Sequence, residues 1–135
     1  MSPKDLPAAY FFKASTRLKA VAVLFAERNY SDVVRESQEI VELCSKAILR
    51  LALMDPPHRH DVAKELLSVK DRFPAEHHPQ IDALAKANHW LRREREMAFY
   101  GASDFDPTEG YSEEDGQRAI NAATAAVQLL HVLRT

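Results

Sequence analysis

The chain has 135 residues, a length that fits one domain and can bury a hydrophobic core without disulfide or metal support. Hydrophobic residues make up 46% and charged residues 28%, as in soluble globular proteins, and the presence of only three glycines argues against a sheet protein with many tight turns. The formal net charge of −2 excludes a general attraction to nucleic acid, so any such binding requires a local basic patch.

Proline-containing stretches divide the chain into helical segments, the first of which is predicted for about residues 7–28. Apolar residues at three- and four-residue spacing predict its inward-facing stripe: Ala14, Leu18, Val21, Ala22 and Phe25. A short break at Asn29 and Tyr30 follows. Ser31 is the predicted N-cap of the next helix, because a serine hydroxyl can accept a hydrogen bond from an unpaired backbone N–H.

The second helix, predicted for about residues 31–53, has the clearest periodic pattern in the chain. Two consecutive prolines in MDPPHRH end it, since proline cannot continue a helix. A shorter helix is predicted for about residues 61–72, and the FPAEHHP stretch after it is predicted as a loop. The inward-facing residues of the second helix are Val33, Ser37, Ile40, Val41, Cys44, Ala47, Ile48 and Leu51, and those of the short helix are Val62, Leu66 and Val69.

Two further long helices are predicted, at about residues 80–100 and 112–133. Gly101 is placed as the C-terminal stop of the fourth helix, and Ser112 with Asp115 resembles a capping box at the start of the last one. The inward line of the fourth helix is Ile81, Leu84, Ala85, Asn88, Leu91, Arg95 and Ala98, and that of the last helix is Ala119, Ile120, Ala123, Val127 and Leu130.

No segment has the pattern of a strand. Four long helices and one short helix, joined by modest loops, predict an all-α fold: an antiparallel up-and-down four-helix bundle with an additional short helix, forming a single domain over residues 1–135. The single Cys44 cannot form an internal disulfide, which fits a reducing compartment. No apolar run has the length of roughly 18 residues that a membrane span needs, and MSPKDLPAAY lacks a signal-peptide core, so we expect a cytoplasmic protein.

The charged stretch LRREREMAFYG at the end of the fourth helix needs an explanation. Helical spacing places Arg95 on the apolar line and Arg92 at its border. A guanidinium in such a position is costly unless it is paired or lines a cleft. Two alternatives therefore remain open: Arg95 faces a site for an anion, or it forms a structural pair with Glu42 or another carboxylate.

Four stretches, in this order and spacing, resemble the HEPN domain, a small helical domain of higher eukaryotes and prokaryotes associated with nucleotide binding. They are AERNYSDVVRESQEIVELCSKAIL, DPPHRHDVAKELL, LRREREMAFYG and YSEEDGQRAINAATAAVQLL, and together the resemblance extends from about residue 8 to 133. The first resembles the family's second helix, and the residues of this chain that match the family's polar positions there, Gln38, Glu42 and Lys46, share one helix face. The second resembles the entry to its third helix, and the third resembles the arginine-rich end of its fourth helix.

The resemblance implies one of two activities. Many family members are metal-independent ribonucleases and toxins with an arginine, four to six residues and then a histidine near the end of the fourth helix. Others lack that pair and accompany a small nucleotidyltransferase. Here the positions after the arginines hold Met97, Ala98, Phe99, Tyr100 and Gly101 instead of a histidine. The resemblance therefore favours a binding or assembly partner of a nucleotidyltransferase, in a toxin–antitoxin pair, over an enzyme.

The candidate nucleotide- or phosphate-binding residues are Arg92, Arg95, Tyr100, Asn88 and Glu42. Arginines grip phosphate through bidentate hydrogen bonds, and Tyr100 can stack on a base. No catalytic residue is assigned. No metal is expected, because the histidine pairs His58/His60 and His77/His78 lack the regular spacing of zinc ligands. No cofactor is expected, because the sequence has no glycine-rich phosphate loop.

Two alternatives to the binding role and one further partner complete the prediction. A ribonuclease with a divergent site at Arg92, Arg95 and Tyr100 and a helical bundle without any ligand are the alternatives to the binding role, and Arg72 with His77 is a formal nuclease-type match that falls in a loop. A homodimer is expected, because HEPN domains commonly pair and the aromatic side chains form a large surface. These side chains are Trp90, Phe99, Phe105 and Tyr111.

Overall fold

The computed structural model describes residues 6–100 and 110–135, and within these ranges the side chains of residues 95–100 are not described. Every regular element in the described ranges is helical, which confirms the predicted all-α bundle. The helices are α1 (Leu6–Ala26), α2 (Tyr30–Leu51), α3 (Ala63–Val69), α4 (His78–Tyr100) and α5 (Glu113–Arg134), with short 3-10 turns at Lys70–Arg72 and Ala75–His77.

The four long helices alternate in direction. The aromatic rings of Phe25 and Tyr30 meet at the α1–α2 junction, and Arg17 lies 3.7 Å from Glu39, so α2 runs back along α1. At the other end of the bundle, Phe11 near the start of α1 stacks on His131 near the end of α5, so these two helices are also antiparallel.

Helix α2 lies at the centre of the molecule and packs against α1, α3, α4 and α5. Its most extensive partner is α5, whereas α4 lies less closely against α5 than α2 does. This packing explains the long apolar stripe of α2. Its predicted inward residues are buried except for Leu51, which is half-buried.

In the other helices, the predicted inward-facing residues whose side chains the structure describes are buried or half-buried, with one exception. On α3 and on α4 as far as Leu91, all predicted core positions are buried, and on α5 only Ile120 is half-buried. Ala22 of α1 is exposed, so its prediction as a core residue is wrong. Helix α1 contacts only α2 and α5 extensively, and the stripe that they cover centres on Ala14 and Val21, with Leu18 and Phe25 half-buried.

The predicted helix starts are partly right. Ser112 and Asp115 form the predicted capping box of α5, with each side chain bonded to the other residue's backbone N–H. For α2 the cap is Asn29, whose side chain accepts a hydrogen bond from the backbone N–H of Asp32 at 3.3 Å. The prediction of Ser31 as N-cap is therefore wrong by two positions, because Ser31 already lies within the first turn.

The loop predicted for FPAEHHP is only partly irregular. A 3-10 turn occupies Ala75–His77 and α4 begins at once with His78, so this part of the loop prediction is wrong. Proline is tolerated in the first turn of a helix, where its missing N–H would have no intrahelical partner. The helix predicted for residues 61–72 consists of α3 followed by the 3-10 turn Lys70–Arg72. The predicted stop at Gly101 lies outside the described residues.

Candidate functional site: a polar cluster between α2 and α4

Three polar side chains follow one another along a single face of α2. Glu42 lies one turn after Gln38 and one turn before Lys46, and it accepts hydrogen bonds from Gln38 Nε2 at 3.1 Å and from Lys46 Nζ at 3.0 Å. The expectation that these three residues share a helix face is confirmed. The Glu42 side chain retains 13% of its accessible surface and that of Lys46 23%, so the ion pair is largely shielded from water.

His60, in the segment between α2 and α3, completes the surroundings of Glu42. Its Nδ1 lies 2.9 Å from Glu42 Oε2. Burial alone would raise the pKa of Glu42, but the hydrogen bonds from His60, Lys46 and Gln38 outweigh it and lower the pKa below its usual value. Glu42 is therefore a carboxylate that its neighbours hold in the ionised form.

Asp61 extends the same segment towards α4. Its Oδ1 accepts the backbone N–H of Ala63 at 3.0 Å, and its Oδ2 lies 3.2 Å from Nδ1 of His89 on α4. Two adjacent residues of one segment thus contact two different helices: His60 contacts α2, and Asp61 contacts α4. We refer to Gln38, Glu42, Lys46, His60, Asp61 and His89 as the α2–α4 polar cluster.

Asn88 lies beneath this cluster, at the contact between α2 and α4. It is 4% exposed, and its Nδ2 donates to Ser45 Oγ at 2.8 Å and to the carbonyl oxygen of Leu84 at 3.0 Å. Ser45 Oγ in turn donates to the carbonyl of Val41 at 2.7 Å. A buried amide whose two N–H groups are both used contributes to helix packing, and direct contact with a phosphate would require one of these bonds to break.

The predicted arginine site is only partly described. Arg92 lies one turn after Asn88 and is half-buried, and the α4 backbone continues without a break to Tyr100. The side chains of Arg95 and Tyr100 lie outside the described residues, and so does the alternative ion pair between Arg95 and Glu42. The structure therefore places Asn88 at the α2–α4 contact through its bond to Ser45, and places Arg92 one turn further along α4. Glu42 lies on the same helix as Ser45, but its bonds are to Gln38, Lys46 and His60.

The histidines of the cluster were not among the predicted site residues. At the start of α3 the side chain of Asp61 accepts a backbone hydrogen bond, and His60 contacts Glu42. The only available signal was the DPPHRHD stretch, in which a histidine precedes an aspartate directly before a helix. His60 and Glu42 are 18 residues apart in the chain, so no helical periodicity connects them.

The formal nuclease-type match is engaged in other contacts. Arg72 donates a hydrogen bond to the carbonyl oxygen of Ala52, where α2 ends, and His77 Nε2 lies 3.5 Å from Glu76. The Arg72 bond ties the Lys70–Arg72 turn to the end of α2, whereas the His77 contact lies within the Ala75–His77 turn. They give the pair a local structural role.

The aromatic residues proposed for the dimer surface are partly covered. Trp90 is half-buried, with the guanidinium of Arg118 3.9 Å from its ring centre. Tyr111 donates its hydroxyl to the carbonyl of Glu94 at 2.8 Å, and burial, with a smaller contribution from Glu94, raises the pKa of Tyr111 to about 12. Phe105 and the side chain of Phe99 lie outside the described residues.

The cluster offers proton donors and acceptors. A carboxylate held ionised against an imidazole orients that imidazole, which is the arrangement used when histidine transfers protons. Within the parts of the chain that the structure describes, no three His, Cys, Asp or Glu side chains converge to hold a metal ion. Among the same residues, no helix is both long enough and apolar enough to cross a bilayer.

Comparison with known proteins identifies the family. The family model described as HEPN domain matches residues 8–133, which is nearly the whole chain. No curated protein and no solved structure matches the chain. The chain therefore belongs to the HEPN domain family, and this membership supports a nucleotide- or RNA-related function in general terms.

Proposed function

We propose that this protein binds phosphate groups of a nucleotide or RNA along the C-terminal half of α4, at Arg92, Arg95 and Tyr100, and that it assembles with a small nucleotidyltransferase in a toxin–antitoxin pair. The ligand approaches next to the α2–α4 polar cluster. Asn88 and Glu42 hold α4 and the adjacent segment in place there, and they contact the ligand only if their present bonds rearrange.

The observation that carries the proposal is the continuity of α4 through the arginine-rich stretch. Arg92 and Arg95 are three residues apart on one helix, beyond the buried Asn88 and Leu91, and this is a spacing at which residues are neighbours on a helix. Two guanidinium groups at this spacing can bind neighbouring phosphate oxygens. Glu42 adds little competing negative charge, because Lys46 and His60 already bind it.

A homodimer fits the same proposal. A two-fold axis near the end of α4 would bring two arginine-rich stretches together and double the local positive charge, although the whole chain carries a net charge of −2. Light scattering on the purified protein is the direct measurement. A mass of about 15.3 kDa at micromolar concentration would contradict the dimer, since this is the mass of one chain.

Titration with nucleotides and short RNA, followed by fluorescence anisotropy, tests the anion site. Arg95→Ala and Arg92→Ala should weaken binding and reduce its salt dependence by about one phosphate contact each. Arg93→Ala is the matched control, because it removes the same charge from an exposed position between the two. Equal effects of all three substitutions would indicate unspecific attraction. Unchanged binding together with lower stability in Arg95→Ala would favour the structural-pair alternative.

The assembly with a nucleotidyltransferase has its own test. If a nucleotidyltransferase is encoded beside this protein, the two should co-purify after joint expression. Expression of this protein alone should slow growth and joint expression should relieve the effect, as expected of a toxin–antitoxin pair. Failure to co-purify would remove the assembly part of the proposal and leave the anion site standing.

A second candidate function, metal-independent RNA cleavage, is favoured by one contact. The imidazole of His60 is bonded through Nδ1 to Glu42, which leaves Nε2 as the nitrogen available to accept a proton from a ribose 2′-hydroxyl. Cleavage of RNA in the presence of EDTA that disappears in His60→Gln would support it. Without such cleavage, the protein acts through binding, as the missing histidine on α4 predicts.

A further inference from the structure

A groove separates α4 from α5 on the side of the molecule away from α2. Its cavity volume is about 360 Å³, and it extends from Gln80 to Trp90 along α4. Ten residues of helix correspond to roughly 15 Å, or about three turns. Much of the lining consists of alanine methyl groups: Ala83, Ala87, Ala122, Ala125 and Ala126.

The packing of α5 explains why the groove exists. Because α5 packs most extensively on α2, α4 does not close over it, and short alanine side chains cannot fill the space between the two helices. Ala83 on one wall and Ala125 on the other are exposed. Such a surface allows the backbone of another helix to approach closely.

The rim of the groove is positively charged. Lys86 and Arg118 line it, and both also line a second hollow between α3 and α4, where Arg93 adds a third cation. The acidic residue among the lining residues of the two hollows is Asp82, and Lys70 binds it at 3.0 Å. A cationic rim in a chain with a net charge of −2 is a local asymmetry that selects a negatively charged partner.

We infer that the groove binds an amphipathic helix of another protein that carries aliphatic side chains on one face and aspartate or glutamate along both borders. The aliphatic face covers the alanine methyl groups, and the carboxylates meet Lys86 and Arg118. The residues involved differ from Arg92, Arg95 and Tyr100, so the inference does not depend on anion binding at the end of α4.

Two other occupants fit the groove less well. A second copy of this chain would present the same Lys86 and Arg118 across a two-fold axis, which sets like charges against each other. RNA could contact the positive rim, but the methyl groups of the floor offer it no hydrogen bonds. The guanidinium of Arg118 already covers the ring of Trp90, so a base cannot stack on that face of the ring.

The test uses two synthetic helical peptides of about 18 residues, or about five turns. One carries leucine and alanine on one face and glutamate along both borders, and in the other every glutamate is replaced by lysine. The wild-type protein should bind the glutamate peptide saturably, more weakly at high salt, and should not bind the lysine peptide. Fluorescence anisotropy of labelled peptide measures both affinities.

Three variants locate the binding. Ala83→Gln/Ala125→Gln fills the groove from two exposed positions without changing its charge, and Lys86→Glu/Arg118→Glu reverses the rim. Each should weaken the affinity for the glutamate peptide by about tenfold or more, and the rim reversal should create binding of the lysine peptide. Lys13→Glu/Lys19→Glu, which reverses two exposed charges on α1, is the matched control and should behave as wild type.

Four outcomes would overturn the inference. Equal binding of both peptides, or binding that no groove variant weakens, would exclude a charge-selective groove. A dimer that Ala83→Gln/Ala125→Gln converts to a monomer in light scattering would assign the groove to a second copy. Loss of RNA binding in the same variant, with peptide binding unchanged, would assign it to RNA.

Discussion

Replacing Glu42 with alanine tests whether the α2–α4 polar cluster stabilises the fold. Glu42→Ala removes the acceptor of three hydrogen bonds, from Gln38 at 3.1 Å, Lys46 at 3.0 Å and His60 at 2.9 Å. It also leaves the ammonium of Lys46, whose side chain is only 23% exposed, without this carboxylate. The segment that leads into α3 loses its attachment to α2 at the same time.

The expected loss follows from these contacts. A hydrogen bond within a protein contributes about 1 kcal/mol net, and one to a charged group about 1.5–3 kcal/mol. The His60 side chain is 44% exposed, so water compensates part of its contribution. We therefore expect a decrease of about 2–3 kcal/mol in the free energy of unfolding. Since domains of this kind have total stabilities of about 5–15 kcal/mol, the melting temperature should fall by about 10 °C.

Chemical denaturation at neutral pH, followed by circular dichroism of the helices, measures the change. Glu36→Ala is the matched control: it removes a carboxylate from the same helix, and that carboxylate lies 3.9 Å from Arg35 at a partly exposed site. The free energy of unfolding of the control variant should fall by less than about 0.5 kcal/mol. A double-mutant cycle with His60→Ala then isolates the Glu42–His60 bond. If Glu42→Ala were no more harmful than Glu36→Ala, the cluster would be a surface arrangement without a stabilising role.

Four further predictions follow from single features. Because the pKa of Glu42 is lowered in the folded protein, its carboxylate contributes fully to the free energy of unfolding above the ordinary pKa of 4.5, and this contribution is lost as pH falls from there through the folded-state pKa. Glu42→Gln should therefore flatten the acid side of the stability–pH curve measured by urea denaturation. Gly116→Ala should lower the melting temperature despite alanine's better helix propensity, because its Cβ would lie 2.7 Å from Cδ1 of Tyr30. Leu53→Gly should raise stability by about 0.5–1 kcal/mol in the same denaturation assay, since Leu53 is 93% exposed with φ of 63°. Burial raises the pKa of the Cys44 thiol to about 12, so a thiol reagent should modify the folded protein only after unfolding, and rapid labelling would contradict the buried position.

Helical periodicity predicted most of the core because the period reports which face of a helix is covered. It worked best for α2, which other helices surround and whose stripe is therefore long. It failed at Ala22, since alanine is common on both buried and exposed faces and its presence on a stripe carries little information. At the start of α2, both Asn29 and Ser31 have side chains that can cap a helix. Asn29 is the cap because of the path of the preceding turn, which the sequence does not specify.

The candidate site was harder to predict than the fold. Asn88 became a candidate because it stands on the apolar line of the fourth helix, where a polar group needs a partner, and Glu42 became one through the resemblance of the second helix to the HEPN domain. Their long-range partners Ser45 and His60 were not predicted, since Ser45 is 43 residues from Asn88 and His60 is 18 residues from Glu42. Such contacts depend on how α4 crosses α2 and on the path of the segment before α3, both of which arise from the packing of the whole chain.

The central position of α2 has a consequence for the motions of the native protein. Because α1, α3, α4 and α5 all rest on it, backbone amides in its middle can exchange with solvent only when the whole domain opens. Helix α3 has seven residues and packs mainly on α4, so it can detach together with the His60–Asp61 segment while α2 stays protected. Local openings of this kind would expose the carboxylate of Glu42 from time to time, and binding of a ligand or partner beside α3 would slow amide exchange there before it slowed exchange anywhere in α2.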